Sequence, residues 1–242
     1  MDTLTGTLLA ICVAAVLLLV AYKKGFLTNT GILASFISAA IIAYCGNFWW
    51  FAAYMLFPMM AFVATFTKIK KKKAMGLQEG KAGERGHMNI LGVGLIPTIV
   101  SVVYFIDDGG ASPYLTVAFL AAIAVSVADT TSSEIGVFDK DVWMITTLKK
   151  TEPGINGGIS RLGLVSSAIT SLVFAILSYA LVFHCLDWRI LIVWVCGMVG
   201  NLLDSVVGAV WENKGRISKY GNNIVTALSG AVIGFLLCLI VN

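Results

Sequence analysis

Charge is scarce in this chain. Of 242 residues only 12% are Asp, Glu, Lys or Arg, against roughly 25% in an ordinary soluble domain. That shortage, with 58% hydrophobic residues and a mean hydropathy of +0.89, excludes a soluble globular enzyme, a disordered chain and a nucleic-acid-binding module. Histidine is scarcer still. His87 falls in a connection and His184 near the end of an apolar run, which leaves no basis for a His-built metal site or proton relay. The five cysteines lie in or beside apolar runs and no two form a C-x-x-C pair. Neither a zinc site nor a disulfide scaffold follows, and they read as small apolar packing residues. What remains is a polytopic membrane protein.

Eight apolar segments of about 15–22 residues are present, against about 20 needed to cross a bilayer as a helix. They lie near 5–22, 31–46, 48–66, 90–106, 114–128, 163–184, 188–211 and 224–241, the second and fifth being short. The first does not read as a cleaved signal peptide. Met1-Asp2-Thr3 lacks a basic n-region, and Lys23-Lys24 follow the apolar run. With these spans, 16 of the 17 lysines and arginines fall on one side, including Lys81 and the run Lys70–Lys73, and only Arg189 on the other. The positive-inside rule makes the basic side cytoplasmic and puts both termini outside. The expected architecture is an all-α transmembrane bundle forming one integral membrane domain over 1–242. Its long cytoplasmic connections are near 67–89 and 129–162, and its outer ones are short, at Gly46-Asn47, near 107–113 and near 185–187. The lysine run suits a solvated or anionic-lipid-facing patch, or attraction of an anionic substrate.

Polar residues at membrane depth must find partners or line a cavity. Four clusters gather near the cytoplasmic side. In Asp129-Thr130-Thr131-Ser132-Ser133-Glu134, a continuing helix would set Asp129 and Ser133 on one face and Thr130 and Glu134 on the next. Carboxylates among hydroxyls resemble the oxygen ligands of Mg²⁺, which uses one or two carboxylates with substrate phosphates. In Lys149–Arg161, the glycines Gly154, Gly157 and Gly158, with Asn156 and Ser160, allow backbone N–H groups to converge on an anion ahead of a helix start. No Walker A pattern is present. On the seventh span Asn201, Asp204, Ser205 and Gly208 follow i, i+3, i+4, i+7 spacing and form one stripe. Asn222-Asn223 enter the last span, and Arg85 and Asn89 precede the fourth. Each pair suits helix caps and basic surface, or contacts to a phosphate or substrate.

Metal-ligating carboxylates, an anion cradle and cations are what phosphoryl transfer requires. No Ser-His-Asp or Cys-His set points to a hydrolase. The blocks A-D-T-x-x-S-E-x-G (128–136), P-G-x-N-G-G-x-S-x-x-G (153–163) and G-N-L-L-D-S-x-x-G-A (200–209), in this order, resemble the transmembrane protein 19 family, which includes the phytyl-phosphate kinase of plants and cyanobacteria. The layout of Asp129, the later lysines, Thr151-Glu152 and the glycine segment is also similar to CTP-dependent dolichol and phytol kinases. Two stretches depart from the family pattern, Val93-Gly94 and Asn222–Thr226.

The resemblance implies Mg²⁺-dependent transfer of the CTP γ-phosphate to an isoprenyl monophosphate, with membrane lipids around the site and no nucleic acid. The expected catalytic and metal-holding residues are Asp129, Asp204 and Glu134. Lys149, Lys150, Gly154, Asn156, Gly157, Gly158, Ser160, Ser133 and Arg85 are expected at the nucleotide phosphates. Asn201, Ser205, Asn222, Asn223 and Asn89 are expected at the acceptor. The same groups also suit a lipid cytidylyltransferase or an isoprenyl alcohol kinase. A transporter of an anionic or lipid-linked solute fits less well, because the polar groups gather at one face instead of crossing the midplane.

Overall fold

The computed structural model describes residues 3–77, 84–107 and 113–241. Lys81 and most of the 107–113 connection lie outside the described residues. The helices are α1 (Thr3–Lys23), α2 (Asn29–Cys45), α3 (Phe48–Phe66), the short α4 (Ile69–Ala74), α5 (His87–Ile106), α6 (Pro113–Gly136), α7 (Arg161–Phe183), α8 (Arg189–Val207) and α9 (Lys219–Val241). Seven are long and apolar enough to cross a membrane, and α2, with 17 residues, is the shorter eighth. The protein is a polytopic helical bundle.

The amino ends of α2, α3, α7 and α9 are set by side-chain caps. Thr28 Oγ1 accepts the Gly31 N–H, Asn47 Oδ1 those of Trp49 and Trp50, Ser160 Oγ that of Gly163, and Ser218 Oγ that of Gly221. Because Ser218 starts α9, Asn222 and Asn223 stand inside that helix and not at its cap.

Helix α6 is the axis of the bundle. Its residues 116–128 are all buried, and α3, α5, α7, α8 and α9 pack around it. The closeness comes from glycines. A Cβ on Gly200 of α8 would collide with the Val125 side chain, and one on Gly230 of α9 would stand 2.5 Å from Val125 Cγ2. Small residues of this kind let helix backbones approach within a membrane bundle. Aromatic packing fills the opposite end of the core, where Trp50 stacks on Phe119 with ring centroids 4.3 Å apart.

Two sequence expectations are corrected here. The fifth span does not stop at residue 128, since α6 runs on through the whole polar block to Gly136. Its hydroxyls satisfy themselves: Thr131 Oγ1 donates to the Val127 carbonyl at 2.8 Å and Ser133 Oγ to that of Thr130 at 3.1 Å. The second correction concerns the connection to α7, which is not irregular. It holds a small antiparallel sheet, β1 (Val142–Met144), β2 (Lys150–Thr151) and β3 (Gly158–Ser160), in the order β2-β1-β3. Val142 pairs with Thr151 on one side and Ser160 on the other. The glycine-rich segment is therefore the turn between two strands of one sheet.

Candidate functional site

At the lysine-rich end of the bundle, α6, α8, the β2–β3 turn and the start of α9 enclose a polar cavity of about 330 Å³. From α6 come Asp129, Ser133 and Glu134, and from α8 Asn201, Asp204, Ser205 and, one residue past its end, Gly208. The turn supplies Gly154, Asn156, Gly157 and Gly158, with Ser160 behind them, and α9 supplies Asn223. Three of the four sequence clusters thus meet in one space with part of the fourth.

The turn is held down by backbone shape. Gly154 and Gly157 have φ of +87° and +84°, a region open to glycine at no steric cost. A Cβ on Gly157 would also lie 2.5 Å from Ala209 Cβ and 2.9 Å from the Ser205 carbonyl oxygen. The turn therefore rests directly on the end of α8, where the helix widens into a π-helical segment, Gly208–Glu212. Such single π turns are frequent at functional sites. The Gly158 N–H is already spent on the Ile155 carbonyl at 2.9 Å, so it serves the turn's own structure.

Asp204 is the centre of the cavity's electrostatics. Its carboxyl is within hydrogen-bonding range of Asp129, and Glu212 and Lys219 act on it across the cavity. Asp204 Oδ1 is buried with no hydrogen-bond partner among the described residues. Two carboxyl groups side by side repel when both are ionised, and a cation or a shared proton between them offsets the repulsion. Among the described residues no three His, Cys, Asp or Glu side chains form a cage for a metal ion. The pair therefore suits an ion that takes its remaining ligands from water and substrate.

Glu134 behaves differently from the other two acids. Its Oε2 accepts from Lys72 Nζ at 2.6 Å and its Oε1 from Thr65 Oγ1 at 2.8 Å. Lys72, 0% exposed, also donates to the carbonyls of Ala64 and Thr65, the last turn of α3. A lysine from the basic run thus closes the end of one helix and neutralises an acid on another. The reading of Lys70–Lys73 as a wholly solvated patch is corrected at Lys72. Lys70, Lys71 and Lys73 are exposed. The ammonium groups of Lys68, Lys71 and Lys72 all lie 5.4–5.6 Å from the centre of the Phe138 ring.

Other expected residues stand apart from the cavity. Lys149 and Lys150 do not line it, and Lys150 pairs with Asp141 on an exposed surface at 2.8 Å. Arg85 and the half-buried Asn89 are likewise outside its lining, Arg85 donating to Thr65 Oγ1 at 3.3 Å. Asn222 is buried behind the wall, where its Nδ2 donates to the Asp204 carbonyl at 3.1 Å and to Glu212 Oε2 at 3.3 Å. Asn201 Nδ2 reaches Ser167 Oγ at 3.2 Å.

Sequence reasoning missed Glu212 and Lys219, both of which line the cavity. Glu212 accepts from Asn156 Nδ2 at 3.0 Å and so ties the glycine turn to the π-helical segment. The signal for it was present. Asp204, Gly208 and Glu212 extend the i, i+4 stripe by one more turn, past the point where the apolar run ends. Lys219, one of the 16 cations on the basic side, lines the cavity, whereas Lys149 and Lys150 do not.

The family model described as integral membrane protein DUF92 matches residues 12–239. An uncharacterized membrane protein of Methanocaldococcus jannaschii is 28% identical over 239 residues, covering 98% of this chain and 96% of that one. From Arabidopsis thaliana, the protein VTE6, chloroplastic, is 25% identical over 86% of this chain and 66% of its own length. The protein PGR of the same plant is 24% identical over 86% of this chain and 80% of its own. No solved structure matches the chain significantly. These matches agree with the kinship carried by the three sequence blocks, and the chain belongs to the DUF92 family of integral membrane proteins.

Proposed function

We propose that the protein transfers the γ-phosphate of CTP to an isoprenyl monophosphate at the cytoplasmic face of the cell membrane, giving the diphosphate and CDP. The observation that carries this reading is the Asp129–Asp204 pair on the floor of a cavity roofed by a glycine turn. The resemblance of the three sequence blocks supplies the substrates.

The residues present fit Mg²⁺, because the paired carboxylates and the buried Asp204 Oδ1 offer ligands for a hard cation that keeps some of its waters. Asp129 and Asp204 would hold the ion. Bound there, it would supply neutralisation of charge on the donor phosphates. The protein's own work is positioning. The turn residues 154–157 and the Lys219 ammonium hold the donor against the floor, and Glu212 keeps the turn seated through Asn156. An oxygen of the acceptor phosphate attacks the γ phosphorus while the bond from that phosphorus to the β–γ bridging oxygen breaks. The acceptor oxygen is already ionised, so no general base is needed, and CDP leaves with the bond's electron pair.

The test is turnover by purified protein with Mg²⁺, γ-labelled CTP and geranylgeranyl monophosphate. Label in a lipid diphosphate is expected. Asp129→Asn and Asp204→Asn are expected to lower kcat by about 10²–10³-fold, the scale of losing one preorganised electrostatic group, while still folding. Unlabelled CDP-lipid with labelled pyrophosphate would overturn the kinase in favour of a cytidylyltransferase. Wild-type rates in both variants would overturn the assignment of the carboxylates.

A further inference from the structure

A second cavity, of about 220 Å³, lies between α1, α2, α3 and the start of α5. Its walls are apolar, with Leu18, Phe57 and Phe62 among them, and Arg85 is the one charged side chain in its lining among the described residues. Leu17, Val20 and Met59 line it yet are 45%, 48% and 61% exposed, so the slot opens sideways between α1 and α3 onto a face that meets lipid in a membrane-spanning bundle.

Arg85 is fixed at the end of this slot. Residues 26–28 and 85 form a short parallel bridge, in which the Arg85 N–H donates to the Phe26 carbonyl at 3.0 Å and the Thr28 N–H to that of Arg85 at 3.1 Å. The guanidinium donates to Thr65 Oγ1, which donates to Glu134 Oε1, and Glu134 lines the polar cavity. Arg85, Thr65 and Glu134 are therefore a shared wall. On one side is an apolar slot open to lipid and on the other a polar cavity with paired carboxylates. A guanidinium at the head of an apolar slot complements an anionic group on a hydrocarbon chain, and arginine suits phosphate because its planar fork gives two parallel hydrogen bonds.

We infer that this slot holds the hydrocarbon chain of the phosphorylated acceptor, with Arg85 contacting its phosphate where the slot meets the polar cavity. The inference rests on the function proposed above and assigns the acceptor's route to the site, from the bilayer between α1 and α3.

The experiment is equilibrium binding of tritiated geranylgeranyl monophosphate to the full chain in phosphatidylcholine nanodiscs, without nucleotide. Arg85→Gln is expected to weaken binding at least tenfold and to leave geranylgeraniol, which lacks the phosphate, within twofold. Ala21→Phe, which fills the slot, is expected to weaken both ligands at least tenfold. Ala14→Phe, at another buried lining position, replaces it if Ala21→Phe fails to fold. Wild-type affinity in the slot-filling and arginine variants overturns the proposal. Displacement of the label by phosphatidic acid at equal concentration overturns the isoprenoid assignment in favour of a membrane phospholipid. The two readings fail separately. Turnover of dimethylallyl monophosphate with failed binding tests keeps the kinase and removes the slot, whereas passed binding tests without turnover keep the slot and remove the kinase.

Discussion

Lys72 illustrates how a single side chain can be misplaced by its neighbours in sequence. Four consecutive lysines read as surface, yet the second turn of the chain beyond α3 brings Lys72 inward onto Glu134, with 0% and 8% of the two side chains exposed. Neither charge is useful to stability alone at such burial. Removing one partner strands the other, at a cost of about 3–5 kcal/mol, whereas replacing both with apolar groups of similar size is often neutral. Glu134→Leu and Lys72→Met are each expected to lower the melting temperature sharply in detergent. The double variant is expected to recover most of the loss. Strictly additive losses would show that the pair does not act as a unit. The same geometry separates Glu134 from Asp129 and Asp204, although all three are acids at one cavity.

At the scale of elements, the start of α7 is secured from outside the membrane span. Asp139 Oδ2 accepts the Leu162 N–H at 3.1 Å and Oδ1 that of Asp141 at 3.1 Å. The backbone N–H of Leu162, above all, holds this carboxyl below its usual range, with the N–H of Asp141 adding to the effect. A carboxyl whose folded value is depressed gives stability that is present above its unfolded value, about pH 3.9 for aspartate, and is lost as pH falls through the folded one. Asp139→Asn is therefore expected to flatten the fall in melting temperature on acidification below about pH 4. An unchanged acid limb would remove Asp139 from the helix start.

The number of long helices and most of their bounds could be read from apolar length alone, because lipid demands continuous helices and the apolar runs record them. Asp204 was also legible, as an acid on a small-residue stripe within an apolar run. The extension of α6 through residues 129–136 was not, since its polarity is satisfied by hydroxyls bonding back along the helix and by Lys72 from 62 residues away. The sheet at 142–160 escaped for a similar reason. Its strands are two or three residues long, too short for any alternation to register.

For the whole molecule, sidedness decides which aqueous phase the polar cavity faces. The connections bearing Lys68–Lys73, Lys149–Lys150 and Lys214–Lys219 share one end of the bundle, and Arg189, ion-paired to Asp187 at 2.6 Å, marks the other. The basic end is expected to face the cytoplasm. A cysteine placed at Lys149 in a cysteine-free background should react with an impermeant maleimide only after cells are opened, and one at Leu186 in intact cells. The reverse pattern would invert the orientation and put the polar cavity on the outer side. The exposed ammonium groups of Lys68 and Lys71, gathered at Phe138, add a kinetic consequence to this arrangement. They concentrate positive potential on the aqueous approach to the bundle's basic end, and the reach of that potential is a Debye length, about 8 Å at physiological ionic strength. Added salt shortens it, so the rate at which a polyanion is captured should respond to ionic strength, while the half-buried carboxylate pair beneath the glycine turn is screened less.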